Sequence, residues 1–156
     1  MFFLLAPLST ADNWPHWRGP NHDGVSAEKG LPVEWSEEKN VAWKLPLPGG
    51  SSATPVVWGG KIFLMAQDEK QISLLCVSTA GKLLWKSRVV DSRGKAKGEK
   101  TFASPSPSTD GKRVFTMTGS GEVVAFDFDG REAWRFNAQE RYGKFRYGFG
   151  YHTTPL

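Results

Sequence analysis

The chain repeats itself, and that repeat narrows its fold more than any other feature. Residues 51 to 65, SSATPVVWGGKIFLM, align without a gap on residues 103 to 117, ASPSPSTDGKRVFTM. Pro55 then meets Pro107, Gly59 meets Gly111, Phe63 meets Phe115 and Met65 meets Met117, all at an offset of 52 residues. Further on, LLCVSTAGKLLW (74 to 85) aligns on VVAFDFDGREAW (123 to 134) at an offset of 49, so that Gly81 meets Gly130 and Trp85 meets Trp134. The three-residue difference falls around the middle turn, which is longer in the first copy (AQDEKQ) than in the second (TGSG). A third copy begins at YHTTPL, where Pro155 stands 48 after Pro107. The tail of an earlier copy shows in NVAWKLPL, where Trp43 stands 42 before Trp85.

Within each copy the local signals mark four strands. Small residues and a proline (Thr54-Pro55, Ser106-Pro107) lead into the first, and a Gly59-Gly60 or Asp110-Gly111 turn leads into an alternating second, KIFLM or RVFTM. The third is ISLLCV or EVVAFD; the fourth, KLLWKS or REAWRF, is expected to be short and to end on the repeated tryptophan. Four antiparallel strands recurring about every 50 residues predict propeller blades, because each such sheet buries its faces only against its neighbours. The expected fold class is therefore all-β, a partial β-propeller with two complete four-stranded antiparallel blades and partial ones flanking them. Seventeen glycines and seven tryptophans in 156 residues favour short strands joined by tight turns over a helical bundle. The expected organisation makes residues 1 to 11 a truncated signal peptide and 12 to 40 an irregular segment packing on the propeller. Residues 41 to 156 are the repeats: 41 to 49 the last strand of a closing blade, 51 to 89 and 103 to 138 two blades, and 150 to 156 the start of the next.

AFDFDGREAW (125 to 134) resembles the tryptophan-docking repeat of quinoprotein-type propellers, whose Ala, Asp, Gly and Trp fall on Ala125, Asp127, Gly130 and Trp134. The earlier copy keeps Gly81 and Trp85 but has Cys76 for the Ala and Ser78 for the Asp. The leader NWPHWRGPNHDGVS with LPVEWSEEKNVAWKLPLPG also resembles that of secreted PQQ-binding-like repeat proteins, relatives of the outer-membrane assembly factor B group. The resemblance implies Trp43, Trp85, Trp134, Gly81 and Gly130 as structural repeat positions. It also implies a longer protein, since a closed ring of seven or eight blades needs roughly 350 residues or more. This chain then reads as an N-terminal piece whose first partners are the remaining blades of its own full-length chain. The strand around Trp43 would complete the last blade of that ring. A quinone cofactor, PQQ, would belong only to a full-length relative. The catalytic aspartate, calcium ligands and quinone contacts of such an enzyme have no place on these residues, so no cofactor or metal is expected here.

The remaining chemistry is read from the residues. Twenty basic and 16 acidic side chains leave a net charge of +4, too small and scattered to compel a nucleic-acid partner. Cys76, the one cysteine, rules out an intrachain disulfide and reads as a small buried hydrophobe. MFFLLAPLSTA has an apolar run with Ser9 and Ala11 placed for a signal peptidase, which points to a periplasmic or secreted protein although a basic n-region is missing. Nothing later is long and apolar enough to span a bilayer. Asp127 and Asp129 read as a hairpin corner, because their counterparts Ser78 and Ala80 can neither ligate a metal nor exchange protons as carboxylates do. His16, His22 and Asp23 lack a third ligand at convincing spacing and read as part of an ordered segment in which Trp14, Trp17 and Arg18 pack, Arg18 in a salt bridge.

Two segments invite a ligand. SRGKAKGEK (92 to 100) is basic, and QERYGKFRYGFGYH (139 to 152) alternates cations with aromatic rings. Both join the last strand of one blade to the first of the next, where a propeller gathers its connections. Arg141, Tyr142, Lys144, Arg146, Tyr147 and His152 are the candidate ligand-binding loop, suited to a protein, peptide or glycan rather than nucleic acid. The function expected is a non-catalytic exported scaffold or binding module. The alternative is part of a PQQ-dependent oxidoreductase whose catalytic residues lie in other blades.

Overall fold

The computed structural model describes residues 12 to 94, 101 to 146 and 151 to 155. The signal-like run at 1 to 11, most of the basic insertion (95 to 100), and Tyr147 and Phe149 of the candidate loop lie outside the described residues. Two four-stranded antiparallel sheets follow one another. The first runs β1 (Val56–Trp58), β2 (Lys61–Gln67), β3 (Gln71–Ser78), β4 (Leu83–Asp91), and the second β5 (Ser108–Thr109), β6 (Arg113–Met117), β7 (Glu122–Asp127), β8 (Glu132–Asn137). Each is a meander with its strands in sequence order, and the two are consecutive blades of a β-propeller.

The registers coincide. Phe63 pairs with Cys76 and Cys76 with Trp85 in the first blade, as Phe115 pairs with Ala125 and Ala125 with Trp134 in the second. The turns coincide too. Between β7 and β8 the Asp127 carboxylate accepts the N–H groups of Asp129 and Arg131, both at 2.9 Å, and the Gly130 N–H returns to the Asp127 carbonyl. Between β3 and β4 the Ser78 hydroxyl accepts from Lys82 at 3.1 Å, and the Gly81 N–H returns to the Ser78 carbonyl. A carboxylate and a hydroxyl thus do the same local work, which is why the repeat tolerates either.

Burial follows the alternation of the strands. Phe63, Met65, Leu74, Cys76 and Val89 of the first blade and Val114, Val124 and Phe126 of the second are fully or almost fully buried in one cluster between the sheets. Burial pushes the Cys76 thiol up to about 11, so it stays protonated. Across this interface Trp85 lies on the corner of the second blade: its indole N–H donates to the Phe128 carbonyl at 3.0 Å, and a Cβ on Gly130 would fall 2.7 Å from its ring. Trp43 repeats the arrangement one blade earlier, donating to the Thr79 carbonyl at 2.8 Å, with a Cβ on Gly81 falling 2.5 Å from its ring. Both glycines sit at φ +81°, a conformation costly for any side chain.

Three features depart from the sequence expectation. β4 is nine residues long and carries Trp85 third from its start rather than at its end, because β3 offers it partners all the way to Gln71 opposite Asp91. Residues 41 to 49 form no strand, since no ladder partner stands beside them among the described residues; Trp43 is held by its indole instead. A short helix, α1 (Ala138–Tyr142), follows β8, its first turn capped by the Asn137 side chain accepting from Gln139 and Glu140.

The N-terminal segment runs along the first, edge strand of each blade. Trp14 pairs with Val57 of β1 through reciprocal backbone bonds of 2.8 and 2.9 Å, and the Pro15 carbonyl accepts from Thr109 of β5 at 2.8 Å. The Asn13 side chain accepts from Gly59 at 2.9 Å, and Gly19 lies directly beneath the Trp14 ring. This strap satisfies backbone groups that the open edge of β1 would otherwise leave to water.

Candidate functional site

The strap brings Trp17 to the place where three repeats begin. An open cavity of about 490 Å3 is lined there by Trp17, Ser52, Thr54, Ser104, Ser106, His152, Thr153 and Thr154. Its members are equivalent repeat positions: Ser52 and Ser104, and Thr54 and Ser106, stand at the 52-residue offset, and Thr154 follows Ser106 as Pro155 follows Pro107. Each repeat lead-in therefore presents its hydroxyls to one depression.

Some of these hydroxyls also hold the blades together. The Ser106 hydroxyl accepts from the Thr54 N–H at 2.8 Å across the two lead-ins, and the Ser104 hydroxyl donates to the Thr101 carbonyl at 3.0 Å. The hydroxyls of Ser52, Thr54, Thr153 and Thr154 make no hydrogen bond among the described residues, which leaves them able to donate and accept toward the cavity. Trp17 is 50% exposed, with the Arg18 guanidinium 5.4 Å from its ring centroid. Arg18 makes no ion pair among the described residues; the expected salt bridge is replaced by this stacking.

Of the described residues of the candidate ligand-binding loop, His152 lines this cavity and Arg141, Tyr142, Lys144 and Arg146 do not. Arg141 lies over the rings of Phe136 and Tyr142, 5.3 and 5.6 Å from their centroids, on α1 and the end of β8. Lys144 and Arg146 are exposed, and Tyr147 lies outside the described residues. The connection is fastened to the second blade: the Gln139 side chain donates to Ser120 and accepts from Phe145, and the Phe145 ring packs on Gly121 and on Tyr151. Part of its aromatic content is thus loop packing. Trp17 and the hydroxyls were missed as site residues, although the alignment of SSATP, ASPSP and HTTPL already superposed the hydroxyl positions.

Two other places were tested as sites. A depression of about 920 Å3 beside Gln67, Asp68, Lys70 and Ser92 has its main polar groups engaged: the Gln67 side chain bonds Ser92, Gly94, Thr101 and Phe102, and Asp68 accepts from Lys70, Gln71 and Lys86. Backbone donation from Gln71 and Lys70 holds the Asp68 carboxyl below its usual range. His16 and His22 stack with centroids 3.8 Å apart and planes inclined by 24°. Parallel imidazoles aim their lone pairs side by side rather than at one ion, and no group of three His, Cys, Asp or Glu among the described residues is placed to hold a metal. Burial, and then His22, hold His16 below the ordinary imidazole range, so it is the neutral ring that packs.

Residues 72–145 match the model of a family described as outer membrane protein assembly factor BamB. No curated protein matches the chain. Among solved structures it is similar to a quinohemoprotein alcohol dehydrogenase from Pseudomonas putida HK5, at 20% identity and a TM-score of 0.42, over 61% of this chain and 14% of that one. It is similar as well to a europium-containing methanol dehydrogenase, at 13% identity and a TM-score of 0.42, over 57% of this chain and 16% of that one. The chain thus spans less than a fifth of the length of either solved chain. The match and the two four-stranded sheets are consistent with PQQ-like β-propeller repeats.

Proposed function

Taking this chain as consecutive blades of a PQQ-like β-propeller, we propose that it is part of a non-catalytic exported propeller that works as a scaffold and binding module. The observation that carries this reading is the donor set where the three repeats converge, hydroxyls and one imidazole. A calcium-bound quinone bearing several carboxylates calls for carboxylate ligands to the ion and cations for the anion. Among the described residues neither a carboxylate nor a cationic Arg or Lys lines the cavity, so these residues do not fit that cofactor. Export rests on the signal-like residues 1 to 11, and the matched assembly-factor family carries an outer-membrane name that agrees with it. No helix among the described residues is long and apolar enough to cross a membrane.

The scaffold half of the reading rests on Trp43 and Trp85. Each indole seated on a glycine corner of the following blade is read as tryptophan docking, which leaves the Trp134 face for a further blade of the same kind. The decisive experiment adds PQQ and calcium to the full-length protein and follows quinone absorbance and alcohol oxidation. Neither stoichiometric uptake nor turnover is expected. Stoichiometric uptake with oxidation would replace this reading by the oxidoreductase one.

A further inference from the structure

We propose that the cavity between Trp17 and the repeat lead-ins binds a neutral saccharide, with Trp17 as the stacking platform; this rests on the binding-module reading above. The argument begins with the kind of hydrogen bond on offer. Ser52, Thr54, Thr153 and Thr154 present hydroxyls without partners among the described residues, and a hydroxyl both donates and accepts. A ligand that is itself covered in hydroxyls can meet that mixed demand at every position. A carboxylate or phosphate offers acceptors alone and would find no Lys or Arg on the lining among the described residues, Arg18 being turned onto the Trp17 ring. An apolar ligand would strip water from several hydroxyls without replacing it, at a cost for each.

Shape and the aromatic wall point the same way. A pyranose has one face of C–H groups and a rim of hydroxyls, and it lays that face on a planar ring while the rim turns to polar groups. Trp17 supplies the plane, on the ring face that Arg18 does not cover: it is half exposed, and its backbone position is fixed by the strap, through Trp14 on Val57, Pro15 on Thr109 and the turn bond from Gly19 to His16. The cavity, at about 490 Å3, is within the range of about 300 to 1,000 Å3 common for small-molecule sites. Exposure of Ser52, His152 and Thr153 along it leaves room for a longer chain to run out into solvent. The hydroxyls come from three repeats and the aromatic ring from the strap, so the site exists only when all four segments are in place.

The probe is cellotetraose, with citrate as an acidic counterpart, titrated into the full chain by calorimetry and tryptophan fluorescence. Saturable cellotetraose binding is expected, weakened about tenfold or more by Trp17→Ala and about threefold by Thr153→Val, each variant keeping the parent melting temperature. If Trp17→Ala does not fold, Ser52→Ala with Thr153→Val carries the same test on exposed side chains. Binding of cellotetraose that these variants leave unchanged would overturn the proposal. Citrate binding alone, lost in the same variants, would overturn the saccharide assignment while the binding-module reading stands. Binding of neither probe would overturn the saccharide assignment and remove this cavity's support for that reading.

Discussion

Trp85 and Trp134 occupy the same place in equivalent strands, third from the start of β4 and of β8, and each faces its own phenylalanine across the sheet. Their surroundings differ. The Trp85 indole donates to the Phe128 carbonyl and covers Gly130, whereas Trp134 is 39% exposed and, among the described residues, meets the rings of Phe115 and Phe136 of its own blade. Phe63, on the Trp85 face, is fully buried, while its counterpart Phe115 is half-buried. Identical local instructions have produced a core on the face that meets a second blade and leave the Trp134 face partly exposed among these residues. What turns a blade face into a core is the neighbour set against it, as expected for a repeat architecture whose stability resides largely in interfaces between units.

Paired substitutions break or sharpen this contrast. The largest expected effect is at the phenylalanines: Phe63→Ala should cost about 3 to 5 kcal/mol, because it opens a cavity between the blades. Phe115→Ala should cost less than half of that, and equal losses in chemical denaturation would abolish the distinction between the two faces. Next come the glycines. Gly130→Ala combines the left-handed backbone penalty with a clash against Trp85 and should cost about 2 to 4 kcal/mol. Gly24→Ala, also at positive φ but with nothing within 4 Å, should show the backbone penalty alone, about 1 to 2 kcal/mol. The smallest effect is at the tryptophans: Trp85→Phe removes the bond to the Phe128 carbonyl and should cost about 1 kcal/mol beyond Trp134→Phe, read as the difference between their melting curves.

The blades were legible because their information is local and given twice. The offsets superposed Phe63 on Phe115 and Trp85 on Trp134, and those pairs occupy equivalent register positions. The Asp127 corner was legible for the same reason, Ser78 standing in its place. The strap was not, since nothing periodic in NWPHWRGP announces that Trp14 will pair with Val57 or Pro15 with Thr109. The cavity was harder still. Its hydroxyls were quoted as lead-ins to strands, and only the fold shows that three lead-ins and Trp17 share one depression. The basic aromatic loop has a conspicuous composition, yet Phe145 and Gln139 fasten it to the second blade, and among its described residues only His152 reaches the cavity.

The strap also sets an order of events in time. Pro15 waits for Thr109, and most of the chain lies between them, so closing that contact early would carry the entropy of a long loop with little to hold it. The strap should therefore settle after both blades have formed. Until then β1 keeps an open edge, and anything that delays the second blade lengthens the interval in which that edge can pair with another molecule.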